Sequence, residues 1–108
     1  MKLLTTELLK RFEKIGNQEG EKDPIVVAKF FNPTGAGTWW ATEYIPEEQL
    51  FFGYVSIFGP ESGCDEWGTF SLNELESFKG HFGLGIERDK YFREQKFSEV
   101  MKDRKINE

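Results

Sequence analysis

The stretch Trp67 to Asp89, WGTFSLNELESFKGHFGLGIERD, constrains this chain more than any other, because it specifies a strand end, a helix start, a helix stop and a charged tetrad in succession. Trp67-Gly68-Thr69-Phe70 reads as the end of a strand, with aromatics on either side of a glycine. Ser71, with Glu74 three residues on, forms a capping box. In that motif the serine hydroxyl accepts from the Glu74 N–H, and the Glu74 carboxylate reaches back to the Ser71 N–H. Glu74 therefore reads as a cap rather than as a catalyst. Leu72, Leu75 and Phe78 follow at spacings of three, which puts them on one side of the helix. Gly80 is the expected stop, in the left-handed conformation, and Lys79 complements the helix C-terminus. Gly80, Gly83 and Gly85 then punctuate the chain. They do not make a phosphate loop, because no strand leads through them into a helix and no Gly-Lys-Ser/Thr ending follows.

The remaining segments take their places around this one. Thr5 is the expected N-cap of a first helix, with Glu7 in its first turn and Leu4 stapling onto Leu9. Leu8, Phe12 and Ile15 form its buried stripe, and Gly16-Asn17 ends it. The polar run 17–23, NQEGEKD, is a connection too short to be a domain linker. Pro24 leads into Ile25 to Phe31, a strand rich in β-branched and aromatic residues and covered on both faces. Residues 32–37, NPTGAG, make a hairpin loop. Thr38 to Ile45 then alternates, with Trp39, Ala41, Glu43 and Ile45 on one face and Trp40, Thr42 and Tyr44 on the other. After the turn Pro46-Glu47-Glu48-Gln49, Leu50 to Phe58 is the next strand, and Gly53 in it marks a bulge or a close approach. A fifth strand is expected through Tyr91 to Arg93, and a brief helix around Phe97, Val100 and Met101 with Ser98 near its start. The tail 102–108 is expected to fray. The fold class is α+β: an N-terminal helix, an antiparallel four- or five-stranded meander sheet, and a capped helix after strand four.

A chain of 108 residues is sized for one domain, residues 1–108, with one core. Its 38% hydrophobic content is modest, but 11 Phe, 3 Trp and 3 Tyr bury much area per residue. A single cysteine, Cys64, excludes an internal disulfide framework and fits a reducing cytosol. No apolar run approaches membrane-spanning length, and the opening MKLL passes at once into a polar helix, so neither a membrane partner nor an export signal is expected. Charge is uneven. From Phe30 to Phe78 there is no Lys or Arg, while Glu43, Glu47, Glu48, Glu61, Asp65, Glu66, Glu74 and Glu76 all fall there. Such a block repels phosphate backbones and argues against direct nucleic-acid binding, although an acidic surface also serves plain solubility.

Candidate chemistry is sparse. His81 and Cys64 are the only soft ligands and lie in no paired motif, so neither zinc nor another cofactor is expected. As a nucleophilic pair they are equally poor, because the carboxylates around Cys64 oppose a thiolate. The aromatic pairs Phe30-Phe31, Trp39-Trp40 and Phe51-Phe52 lack the flanking cations of a stacking platform and read as core packing. Carboxylates are the better catalytic set. Glu43 is the one charge in its strand, and Glu87 and Asp89 share a face if residues 86–90 are extended, with Arg88 between them. Converged, they would hold Mg²⁺ or do acid–base work; the simpler reading is an ion-pair network that locks the last strand.

FSLNELESFKGHFGLGIERDKYF, together with MKLLTTELLKRF, KFFNP, WWATEY and LFFGYV, resembles the pattern of a family of small bacterial proteins known only as domain-of-unknown-function family 2958. The resemblance spans roughly residues 1–100, and FSLNELES and GLGIERD are its most specific parts. Family members often carry proline where this chain has Gly85, so the loop geometry differs here. Members are common on plasmids, integrating conjugative elements and prophages. The resemblance implies a cytoplasmic protein of mobile-element type and no activity that can be assigned to a residue. The leading expectation is therefore a non-catalytic interaction module. Glu47, Glu48, Asp65 and Glu66 would form an acidic surface for a basic DNA-binding protein, such as a restriction or defence factor, in mimicry of nucleic-acid charge. The alternative is a small enzyme using Glu43, Glu87, Asp89 and Arg88.

Overall fold

The computed structural model describes residues 2–106. Helix α1 (Thr6–Ile15) starts where expected, with Thr5 extended and its hydroxyl accepting from the Leu8 N–H at 3.2 Å. It ends at Gly16, whose φ of +71° lets its N–H turn back to the Phe12 carbonyl. Phe12 is buried, and Leu4, Leu8 and Ile15 pack beside it.

Five antiparallel strands follow in the sheet order β5-β4-β3-β2-β6: β2 (Ala28–Phe31), β3 (Thr38–Ile45), β4 (Leu50–Ser56), β5 (Glu66–Ser71) and β6 (Glu87–Arg88). The first four are the expected meander. The fifth strand is Glu87–Arg88, paired with Phe30 and Phe31, rather than Tyr91 to Arg93. Tyr91 instead sits in a turn and is 93% exposed, because the Asp89 carboxylate accepts its N–H at 2.9 Å. The strand expected over Ile25 to Phe31 is divided. β1 (Ile25–Val26) pairs with β7 (Gln95–Lys96) in a separate two-stranded sheet, and at Val27 the chain switches partners, its N–H donating to the Ala41 carbonyl.

A bulge in β3 changes which side chains share a face. Ala41 opposes Gly53 and Glu43 opposes Phe52, so Thr42 is the extra residue. Beyond it the alternation inverts. Trp39, Ala41 and Tyr44 face one core, whereas Glu43 joins Trp40 on the opposite face, against the strict alternation expected. Gly53 is there because of close approach: a Cβ would lie 1.9 Å from the Trp40 carbonyl oxygen. Thr42's carbonyl, out of the ladder at the bulge, accepts from the Gln18 side-chain amide at 2.8 Å. Gln18 also donates to the Ile25 carbonyl and accepts from the Ile25 N–H, so a residue of the polar connection is buried and ties that loop to the sheet.

The first face carries the main core. Phe51 is its hub, with ring centroids of Phe30, Tyr44, Phe70 and Phe12 at 5.1, 5.0, 5.4 and 5.8 Å. α1 and α2 (Leu72–Ser77) cover it, the latter through Leu75. α2 begins on Ser71 as expected, its hydroxyl accepting from the Glu74 N–H at 3.2 Å. It stops sooner than expected, at Phe78, whose φ and ψ of −63° and 135° are extended. Gly80 is not the left-handed cap, its φ being −91°; a Cβ there would meet the Thr34 hydroxyl at 2.8 Å. Positive φ falls at Phe82 instead, in a short turn closed by the Gly80 N–H to Leu84 carbonyl bond.

The second face is covered only in part, by β1 and by α3 (Phe97–Ile106), through Val26, Val100 and Met101 against Trp40 and Tyr54. Asp23 caps α3, accepting from the N–H and hydroxyl of Ser98. The segment expected to fray from Lys102 is helical through Ile106, and Arg104 is held at 2.7 Å by both Asp65 and Ser56; Asn107 and Glu108 lie outside the described residues. Among the described residues, no helix is long and apolar enough to cross a membrane.

Candidate functional site

The carboxylates of the catalytic alternative are kept apart by strand register. Glu87 opposes Phe31, which opposes Thr38, so Glu87 lies level with the start of β3. Glu43 is five residues further along that strand, roughly 16 Å at the usual rise, and two strands away. Asp89 is engaged structurally, its N–H donating to the Lys29 carbonyl at 2.9 Å and its carboxylate 3.7 Å from Lys29 Nζ. Arg88 donates to the carbonyls of Lys2 and Leu3 at 2.6 and 3.5 Å, and so ties the N-terminal segment to the sheet edge. Among the described residues no three His, Cys, Asp or Glu side chains gather as a metal ion would require. Cys64 is exposed, its thiol 3.6 Å from the Ser62 carbonyl oxygen, and His81 is exposed in the Phe82 turn.

The acidic set divides differently. Glu47 and Glu48 are exposed in the turn between β3 and β4, and Glu66 is exposed at the start of β5. Asp65 departs from the surface role expected for it. Its carboxylate is only 12% exposed and pairs with Arg104 at 2.7 Å. Arg104 also donates to the Ser56 hydroxyl and lies 4.9 Å above the Trp40 ring. Burial by itself would raise the Asp65 carboxyl, but Ser56, Arg104 and Tyr54 together outweigh it and hold the group below the usual carboxylate range. Asp65 thus docks α3 onto the sheet.

What remains is the open end of the second face. There Glu43, Ile45, Phe52 and Trp67 form one wall of a cleft of about 530 Å³, and the 17–22 loop with Pro24 forms the other. Each part has a structural cause. The Thr42 bulge turns Glu43 toward this face, Gln18 fixes the loop opposite, and β4–β5 pairing sets Phe52 beside Trp67. The two rings stack at 6.1 Å and 18°. Trp67 packs on Phe97 at 4.6 Å yet stays 39% exposed. Glu19 and Glu21 stand on the loop with Lys22, so carboxylates outnumber the cation. Glu43 is half-buried as a residue, and among the described residues no hydrogen bond or ion pair holds its carboxylate. Aromatic rings beside a carboxylate are groups that attract cations.

Sequence reasoning singled out Glu43 but placed it on the wrong face, and it took Trp67 only as a strand residue. The signals for a cleft were faint: a lone charge in an aromatic strand and a glutamine in a polar loop.

No curated protein and no solved structure matches the chain. A family model described as a protein of unknown function, DUF2958, matches residues 3–104, and the chain belongs to that family.

Proposed function

We propose that this protein is a non-catalytic interaction module that binds a basic protein partner at the open, acidic end of its sheet. The observation that carries the reading is the gathering of uncommitted carboxylates there. Glu43, Glu19 and Glu21 line the cleft, and the exposed Glu47 and Glu48 follow directly from its wall residue Ile45. Lys22 is the cation beside Glu19 and Glu21, and between Phe30 and Phe78 the sequence has no lysine or arginine to offset Glu43, Glu47 and Glu48. A field of one sign steers an oppositely charged partner and discriminates against others. A cytoplasmic DNA-binding protein of the host, met by a mobile-element product, is the partner class that suits this charge best. Register favours this over the enzyme, since Glu43 lies far along the sheet from Glu87 and Asp89.

The test is capture from a bacterial host on the immobilised protein, with the captured chains identified and titrated with salt. Basic polypeptides should be retained, released as the screening length falls toward about 3 Å near 1 M salt, and lost when Glu47 and Glu48 are both changed to Lys. Asp65 is left unchanged, because reversing it would set a lysine against Arg104. Retention that survives the double change, or that strengthens with salt, overturns the reading.

A further inference from the structure

We propose that the cleft beside Glu43 receives an arginine side chain of the basic partner, its guanidinium lying against the exposed parts of the Trp67 and Phe52 rings and its charge meeting the Glu43 carboxylate. This rests on the acidic-surface reading above and assigns it one recognition pocket.

The protein itself supplies the precedent. On the covered half of the same sheet face, Arg104 lies over the Trp40 ring at 4.9 Å and pairs with Asp65 at 2.7 Å. The open half repeats those ingredients: two aromatic rings and a carboxylate on one cleft wall, with no side chain of the described chain paired to Glu43. Among the described residues no group takes up the Glu43 carboxylate, and a guanidinium would meet it with parallel N–H donors. Arginine fits better than lysine, because its planar and weakly hydrated group stacks on indole while still donating to a carboxylate. Charge selects the same occupant. Glu19, Glu21 and Glu43 against Lys22 repel phosphate, which disfavours a nucleotide base stacked in the cleft. Phe97 backs one side of Trp67 and leaves the ring partly exposed, so the platform is already formed.

The test is titration of the ¹⁵N-labelled protein with nona-arginine at about 50 mM salt, where screening is weak. The Trp67 indole N–H resonance, assigned with Trp67→Phe, should move on binding. Nona-lysine of equal charge should bind about fivefold more weakly, the factor a cation–π contact contributes. Glu43→Gln should weaken nona-arginine by a similar factor of about five while leaving the melting temperature unchanged. A Glu47→Gln, Glu48→Gln double variant should weaken both peptides alike and leave the Trp67 shift in place. An indole resonance that stays fixed, or equal affinity in Glu43→Gln, overturns the pocket. If the double variant alone abolishes binding, the acidic surface stands and the pocket falls. If nona-arginine does not bind at all, both fall.

Discussion

The two halves of the sheet's second face use similar side chains to opposite ends. In the covered half Trp40, Tyr54 and Asp65 are closed off by α3, and Arg104 pairs with one oxygen of the carboxylate, Oδ2, from within the chain. In the open half Phe52, Trp67 and Glu43 face a cleft, and among the described residues the carboxylate has no partner. The difference lies in reach. α3 starts at Phe97 beside Trp67 and runs toward Trp40 and Asp65, so its last turns cover one half and leave the other to the 17–22 loop. Aromatic rings with a carboxylate are thus a docking device that this chain fills once with its own arginine. Where it is filled, the residues hold α3 to the sheet; for the open half we propose a role in recognition.

Substitutions separate these roles, and the largest effect should come from the element between the halves. Gly53→Ala forces a methyl group into the Trp40 backbone at 1.9 Å. It should cost about 3 kcal/mol or more, as severe overpacking does, and a denaturant melt would measure it. A loss below about 1 kcal/mol would mean that the strands can part at the bulge, and the division into two halves would lose its structural basis.

Next comes Arg104→Ala, which strips Asp65 of its partner and Trp40 of its cation. A loss of about 2 kcal/mol is expected, less than for a fully buried pair because both groups keep some solvent contact. Arg104→Lys should recover only part of it, since an ammonium neither forks nor stacks as a guanidinium does. Full recovery by lysine would show that charge alone docks α3.

The same pair predicts an acid response. Asp65 has a folded-state pKa below its unfolded value, so the unfolded chain binds more protons in the interval between them. Its contribution is complete above the ordinary carboxylate range near pH 4 and is lost as pH falls through the lower, folded value. Melting temperatures followed downward from about pH 5 should therefore drop less steeply in Asp65→Asn than in the parent. Parallel curves would mean that Arg104 does not hold the carboxylate in solution.

Glu43→Gln should give the smallest change, within about 0.5 kcal/mol, because among the described residues no hydrogen bond or ion pair is removed. A loss as large as that of Arg104→Ala would place Glu43 among the supports of the fold and blur the contrast between the halves.

Much of the architecture is legible from sequence because its causes are local. The Thr5 and Ser71 caps each act over three residues, and the Thr38–Ile45 and Leu50–Ser56 strands show in runs of β-branched and aromatic residues. The unbroken lack of lysine and arginine from Phe30 to Phe78 is likewise visible before any fold is known.

The candidate site was less legible, because each of its parts depends on a partner distant in the chain. One inserted residue at Thr42 inverts a face, and nothing in TWWATEYI marks it; it takes the close backbone approach at Gly53 to place the bulge there. Gln18 looks like loop polarity until the bulge offers it the Thr42 carbonyl, 24 residues away. Asp65 looks like surface charge until Arg104 reaches it across 39 residues and removes it from the surface. The sequence by itself determined where the helices start, most of the strands and the sign of the surface, since propensity, capping and charge are properties of neighbours. Tertiary structure alone decided which carboxylate is neutralised and which is left facing a cleft, because a charge is paired or unpaired only by what the folded chain brings beside it.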